Sequence, residues 1–434
     1  MTHGRRSENR TVAVSALARV EGEGSLHIEI RNDVVASVSL DIFEPPRFFE
    51  ALLRGRRHTE APDITARICG ICPVAYEMSA CAAIEDACGV TVDTRIESLR
   101  RLLYCGEWIQ SHALHVYLLH APDFLGCQDA LELAELDRTA VERGLQLKRI
   151  GNLLMEAVGG RAVHPVNVKV GGFYRAPDVA SLQALAEPLR VARELALETV
   201  SWVGGFEFPD VEGDYRFVAL RHPDRYAIDS GRVVSSDGLD LSPAGFAEVA
   251  VEEHVERSTA LHARLDGLPY LTGPLARYAL NSSQLPAVAR EAATAAGLGA
   301  VCRNPFQSIV VRAVELVYAC DEALRLVETY EPPVPASVDV APSAATGAGA
   351  TEAPRGLLVH VYELDGEGLI RNARIMPPTS QNQLTIEEDL RRVVTGGLSL
   401  SDSELTWRCE QAVRNHDPCI SCAAHFLDLT VKRS

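Results

Sequence analysis

Four cysteines in two Cys-x-x-Cys pairs sit near opposite ends of this chain, Cys69 and Cys72 in one, Cys419 and Cys422 in the other. The first pair follows Arg67-Ile68 and precedes Pro73; the second follows Asp417-Pro418 and precedes His425. Thiolates are soft ligands, so two pairs meeting in space make a four-sulfur pocket for a soft transition metal. A zinc ribbon keeps its second pair within tens of residues of its first. Here most of the chain lies between them, so the fold itself must assemble the site and bury it. Cys69 and Cys72 before a helix also fit a thioredoxin-like dithiol, which needs a compact βαβ frame and leaves the second pair unexplained. A structural zinc explains both pairs by spacing alone. It does not explain the flanking arginines, Asp417-Pro418, or the Glu21 of Arg19-Val20-Glu21-Gly22.

The elements that must position these residues read as mainly helical. Residues 11–43 read as strands: Leu26, Ile28 and Ile30 alternate with polar residues, Asn32-Asp33 turns the chain, and Val34 to Ile42 returns. Pro73 opens a helix that stops at Gly89, which places Cys69 and Cys72 at a helix N-terminus, where the dipole favours thiolate. The next helix starts with Thr94 and Glu97 as a capping box and carries Ile96, Leu99, Leu103 and Ile109 at helical spacing. Further helical patterns cover 129–158, 179–203 and 306–330, as in a large bundle. Pro, Ala, Gly, Ser and Thr dominate 331–353, the composition of a flexible linker. A hairpin follows, Leu357 to Leu364 and Leu369 to Ile375, then a short helix after Thr385 and another after Ser401, with Glu404 completing a capping box. The expected fold class is α+β, mainly helical, a large central helix bundle with peripheral antiparallel β-sheets. Its expected regions are an N-terminal β region (1–60), a helical core (61–330) with a mixed insertion near 205–275, a flexible loop (331–353), and a C-terminal part (354–434) holding the hairpin, helices and second cysteine motif.

Bulk composition excludes several function classes. With 434 residues and 47% hydrophobic content, the chain can bury a large core, and length suggests two or three domains. A formal charge of −17, from 42 basic and 59 acidic residues, argues against nucleic acid or an anionic membrane as the main partner. No apolar run approaches the roughly 18 residues of a transmembrane segment. Met1 to Arg10 is polar with no apolar stretch after it, so no secretory signal is expected. Eleven cysteines, an odd number, then point to a reducing cytoplasm. Cys81, Cys88, Cys105, Cys127, Cys302, Cys320 and Cys409 lack cluster-binding spacing and read as small apolar residues. No iron–sulfur cluster is therefore expected in this chain. His112, His115 and His120 share one helix and read as packed or interface residues rather than ligands.

Taken in order, Arg19-Val20-Glu21-Gly22, Arg67 to Pro73, Ala353-Pro354-Arg355-Gly356 and Asp417 to His425 resemble the motifs of nickel–iron hydrogenase large subunits. The segment Pro46 to Arg56 and the chain length are most similar to the cytoplasmic, bidirectional NADP-linked subgroup, also called sulfhydrogenases. The resemblance implies a catalytic subunit interconverting H2 with protons and electrons. It implies Cys69 and Cys419 as terminal nickel ligands, and Cys72 and Cys422 as bridges to an iron carrying cyanide and carbon monoxide. Glu21 matches a proton relay. Arg355 matches an arginine above the metals with Asp417 near it, and Pro378 and Thr379 match the segment beside the iron diatomics. Glu50, the Ile375 carbonyl and His425 match ligands of a magnesium ion or another divalent metal. The implied partners are an iron–sulfur small subunit, flavin/NAD(P)-binding and further iron–sulfur subunits, and a maturation endopeptidase that cuts after His425. That cut would remove Phe426–Ser434, although alternating Leu427, Leu429 and Val431 also fit a retained strand. Two positions depart from the pattern: Tyr76 stands where the family often has His, and Ser111 where several relatives carry an acid.

Two other readings compete. A complex I-like quinone-site subunit shares the ancestral fold but has lost the metal, and retention of all four cysteines argues against it. A zinc-stabilised scaffold needs only the cysteines.

Overall fold

Alternation in the N-terminal stretch makes an antiparallel sheet of β1 (Arg10–Val14), β2 (Gly24–Arg31) and β3 (Val34–Ile42) in a computed structural model that describes residues 9–424. His425 and the tail Phe426–Ser434 lie outside the described residues, as does Met1–Glu8. Leu26, Ile28 and Ile30 are buried as the alternation requires. Asn32 and Asp33 both adopt left-handed backbone, which matches the twist of a tight hairpin.

Long helices form the centre: α1 (Pro73–Ala87), α2 (Thr94–Leu114), α3 (Arg138–Gly159), α4 (Ala186–Gly204) and α5 (Ser308–Glu328). α2 lies along α3 and α5, and α5 also lies along α4. The cap of α2 is Asp93 rather than the expected Thr94: its carboxylate accepts from Arg95 N, and Thr94 is already helical. Asp at least equals Thr as an N-cap, so the chain takes the earlier residue. The pattern over 129–158 divides into Ala130–Leu136 and α3 because Asp137 leaves helical geometry and caps the next helix through Ala140 N. The 179–203 pattern likewise divides into Val179–Gln183 and α4. Past α2, His115–His120 continue as a π-helical turn. The mixed region holds a sheet of Val218–Arg221, Arg232–Ser235 and Asp240–Leu241, a short helix, and the pair Ala250–Glu253 with His262–Leu265.

The expected flexible loop ends earlier than its composition suggested. Thr346–Ala353 is strand β4, paired along its length with β5 (Gly356–Leu364), which pairs with β6 (Ile370–Met376). β4 is buried from Gly347 onward because it lies directly on α1. A Cβ at Gly347 would sit 2.2 Å from the Ala83 carbonyl oxygen, and one at Gly349 would sit 2.5 Å from Ala83 N. Small residues serve close packing here, with the same composition a linker would have. The helix expected after Thr385 also starts sooner, as α6 (Pro378–Gly396). The Ser401–Glu404 capping box opens α7 (Asp402–Asn415) as expected.

α6 and α7 share a core with the N-terminal sheet, through Leu26, Ile28, Leu40, Ile386, Leu390 and Leu405. The larger core gathers the central helices and includes all four motif cysteines. Among the described residues, no helix is long and apolar enough to cross a membrane. The seven other cysteines are free and buried, save the half-buried Cys88.

Candidate metal centre

The four sulfurs come together, all within 4.8 Å of one another. Cys69 and Cys72 end the turn that leads into α1; Cys419 caps one helical turn, Ile420–Ala423, and Cys422 lies within it. Sulfur–sulfur distances are 3.4 Å for Cys69–Cys419, 3.6 Å for Cys72–Cys422 and 2.6 Å for Cys419–Cys422. Ile71 N and Cys72 N donate to Cys69 Sγ. Hydrogen bonds from Cys419, Cys422 and Cys72 hold Cys69 well below the usual thiol range, while burial pushes Cys419 well above it. One buried pocket does not hold several thiolates without a cation among them, and a bound metal deprotonates its thiols outright. The donor set, four sulfurs, fits a soft transition metal, nickel and iron among them.

Arg355 and Asp417 meet beside this pocket. Asp417 takes left-handed backbone, with φ 51°, a strained geometry for a residue with a side chain. That turn presents two acceptors to one guanidinium: Arg355 Nε donates to the Asp417 carbonyl at 2.9 Å, and Nη2 to Oδ1 at 3.0 Å. Burial works against the Arg355 charge, but Asp417 and the Cys419, Cys72 and Cys69 sulfurs outweigh it and push its pKa well up. Arg355 Nη1, Asp417 Oδ2 and the Tyr76 hydroxyl are buried without a hydrogen-bond partner. A closed zinc knuckle has no use for such a shell. It suits a pocket whose contents include more than the four sulfurs.

Glu21 is brought onto Cys419. The Arg19–Gly22 segment bridges to the second cysteine motif, with Ile420 N donating to the Glu21 carbonyl. Its Oε2 then lies 3.1 Å from Cys419 Sγ and accepts from Ser421 N at 3.0 Å. Thr379, in the first turn of α6 after Pro378, accepts from Cys419 N at 2.9 Å through its hydroxyl oxygen. Glu50 reaches the third predicted cluster: its Oε1 accepts from Ile375 N at 2.7 Å. The expected partner there, His425, lies outside the described residues.

Several participants carried no sequence signal. Glu107 on α2 accepts from Val74 N at 2.7 Å and Ala75 N at 3.2 Å, capping the helix that the first cysteine pair precedes. Burial pushes its carboxyl well up, against those two bonds. Nothing in its neighbourhood on α2 marks it, since its partners lie a whole helix away. Arg47 ties the two cysteine motifs together, donating to the carbonyls of Ile68 and Ser421. The Ser421 hydroxyl donates to Glu44 at 2.7 Å.

Tyr76 is fully buried, and burial together with the Cys422, Cys72 and Cys419 charges pushes its pKa well up. Ser111 is buried on α2. The three histidines are packed residues as expected: His115 Nε2 is 2.9 Å from the Arg414 carbonyl, His120 Nε2 is 2.9 Å from Asn415 Oδ1, and His112 Nε2 is 3.1 Å from Glu315.

Comparison with known proteins bears on this geometry. A family model described as nickel-dependent hydrogenase matches residues 47–144. The alpha subunit of sulfhydrogenase 1 from Pyrococcus furiosus is 34% identical over 422 residues, covering 96% of this chain and 98% of that one. The beta subunit of the NAD-reducing hydrogenase HoxS from Cupriavidus necator is 27% identical over 474 residues, 96% of this chain and 95% of that one. Among solved structures, an NAD+-reducing NiFe-hydrogenase in the H2-reduced state superposes with a TM-score of 0.85 at 26% identity, covering 96% of this chain and 99% of that one.

Proposed function

The chain belongs to the large-subunit family of nickel-dependent hydrogenases, and from that premise we propose how its residues divide the work. It is the catalytic subunit of a nickel–iron hydrogenase, interconverting H2 with protons and electrons. The observation that carries the reading is the convergence of four buried thiolates with a carboxylate on one of them and an arginine beside three of them.

In this reading Cys69 and Cys419 would hold nickel alone, and Cys72 and Cys422 would hold both nickel and an iron carrying cyanide and carbon monoxide. When bound, the metal pair supplies a redox-active, electron-poor position for heterolytic cleavage of H2. Cys419 Sγ holds the proton and passes it to Glu21 Oε2, 3.1 Å away. Ser421 holds two carboxylates in place, its backbone N–H donating to Glu21 Oε2 and its hydroxyl to the half-buried Glu44. Arg355, clamped by Asp417, keeps a fixed cation beside the sulfurs and helps exclude water. Thr379 spends its oxygen on Cys419 N and has its proton free to donate to a cyanide nitrogen, with Pro378 beside it. Glu50, the Ile375 carbonyl and His425 would hold magnesium or another divalent ion.

Electrons pass to an iron–sulfur small subunit. A nicotinamide acceptor is supported by the name of the Cupriavidus relative, and the proposed acceptor here is NADP(H), reached through flavin-binding and further iron–sulfur subunits in the cytoplasm. A maturation endopeptidase then ends the working chain at His425, and intact-mass measurement on active enzyme that retains Phe426–Ser434 would refute that step. The central test is metal analysis of protein purified from its own host. Nickel and iron together, with infrared bands of iron-bound diatomics, are the expected result. Zinc would favour the scaffold, and no metal the quinone-site reading. H2-dependent reduction of NADP+ against NAD+ by the purified complex decides the acceptor.

A further inference from the structure

Arg277 lies in the helix Pro274–Asn281 and spends its hydrogen bonds on groups other than the four cysteines, yet it is wholly buried and every N–H of its guanidinium is used. Nε and Nη2 each donate at 2.7 Å to the two oxygens of Glu315. Nη1 donates to Glu352 at 3.1 Å and to the Ala353 carbonyl at 2.9 Å, and Nη2 donates also to the Pro354 carbonyl at 2.9 Å. The guanidinium plane is seated 4.5 Å over the Trp108 ring, whose Nε1 donates to the Glu352 carbonyl. Burial works against the Glu315 charge, but Arg277 outweighs it and holds that carboxyl at about 2, so the pair stays ionised.

A fully buried ion pair is a weak stability device, since apolar residues of similar volume do as well or better. What a guanidinium supplies instead is five fixed directions. Two of them end on the carbonyls immediately before Arg355. On the other side, the Arg355 carbonyl lies against Gly273, where a Cβ would come within 2.7 Å of it and φ is +102°. The backbone around Arg355 is thus gripped from both sides by one short segment, Gly273–Arg277, while Asp417 holds its side chain.

We propose that Arg277 is a positioning residue, which fixes the Ala353 and Pro354 carbonyls and thereby sets where Arg355 stands beside the four-thiolate site. This rests on the reading of Arg355 as the cation of that site. The test uses the matured complex with Arg277→Lys, which keeps the charge beside Glu315 but offers three donors where five are used. Nickel and iron content and the KM for H2 should stay unchanged while kcat falls about 10- to 100-fold, the scale of a misplaced catalytic group. A crystal structure of the variant should show the Arg355 guanidinium displaced from Asp417. Adding Arg277→Lys to Arg355→Lys should cost no more than about two-fold further, as two changes acting through one group do. Arg355 unmoved in the variant crystal, or losses that multiply in the double variant, would overturn the proposal. Unchanged turnover in Arg355→Lys alone would refute the role of Arg355, and the crystallographic position then decides the positioning claim by itself. If Arg277→Lys fails to accumulate with metal, Arg277→Gln with Glu315→Gln and Glu352→Gln removes the three buried charges together and is read by the same measurements.

Discussion

From its place in the sequence, Glu21 is a carboxylate between two strands, with nothing local to separate it from a solvated residue. Its meaning comes from a backbone bridge to Cys419, almost four hundred residues away, that turns Oε2 onto a sulfur. Glu21→Gln keeps the shape and the acceptor for Ser421 N but removes the titratable proton. H2 oxidation and H/D exchange should fall by about two orders of magnitude, the scale of a lost acid–base step, with metal content intact. Normal exchange in a metal-replete variant would exclude Glu21 as the relay. The cysteines differ in kind, because a thiolate cannot be replaced by a hard hydroxyl at a position between two soft metals. Cys72→Ser or Cys422→Ser should therefore yield protein without nickel and iron by elemental analysis; retention of both metals would remove these residues from the bridging role. Residue types with narrow chemistry were legible in the sequence for that reason. Glu107, Arg47 and Arg277 were not, because carboxylates and guanidiniums are common on any surface and only the fold brings these to their partners.

Elements were legible where a periodic pattern met a punctuating residue, as at Pro73, at Asn32-Asp33 and at the Ser401–Glu404 box. They failed where one composition serves two purposes. Gly and Ala in 346–353 let a strand lie on α1, yet a flexible tether has the same residues. This contrast is measurable. Gly349→Val in a true tether would be neutral, whereas here it must displace α1, the helix that follows Cys72. Overpacking of this kind costs roughly 1–3 kcal/mol or more, so the variant should show a lower Tm and reduced nickel incorporation. A wild-type Tm would mean that β4 does not pack as described. The cap of α2 offers a gentler check. Asp93→Ala should cost about 1 kcal/mol, and Thr94→Ala much less, because only Asp93 accepts from a free helix N–H.

At the scale of the molecule, the two cysteine pairs lie 350 residues apart in the chain and become neighbours only when the fold is complete. The unfolded chain has no preformed site, so metal binding favours the folded state. The second cysteine motif is tied to the rest through individual polar contacts: the bridge to Glu21, the Arg47 contacts, the Ser421–Glu44 bond, the Arg355 clamp on Asp417, and the bond from Cys419 N to Thr379. The α2–α5 bundle, by contrast, is held by a core that reaches the four cysteines but extends far beyond them. Metal-free protein, made in a host starved of nickel, should therefore keep the bundle and lose order around the site. Amide exchange should quicken at residues 17–22, 67–74 and 415–424 while the central helices stay protected, since local openings draw on the contacts that hold each segment. The Tm should also fall, because a site occupied at about 1,000 times its dissociation constant contributes about 4 kcal/mol to the folded state. Equal exchange and equal Tm with and without metal would mean that the protein alone holds the sulfurs in place, and that the metals enter a finished site rather than joining the two ends of the chain.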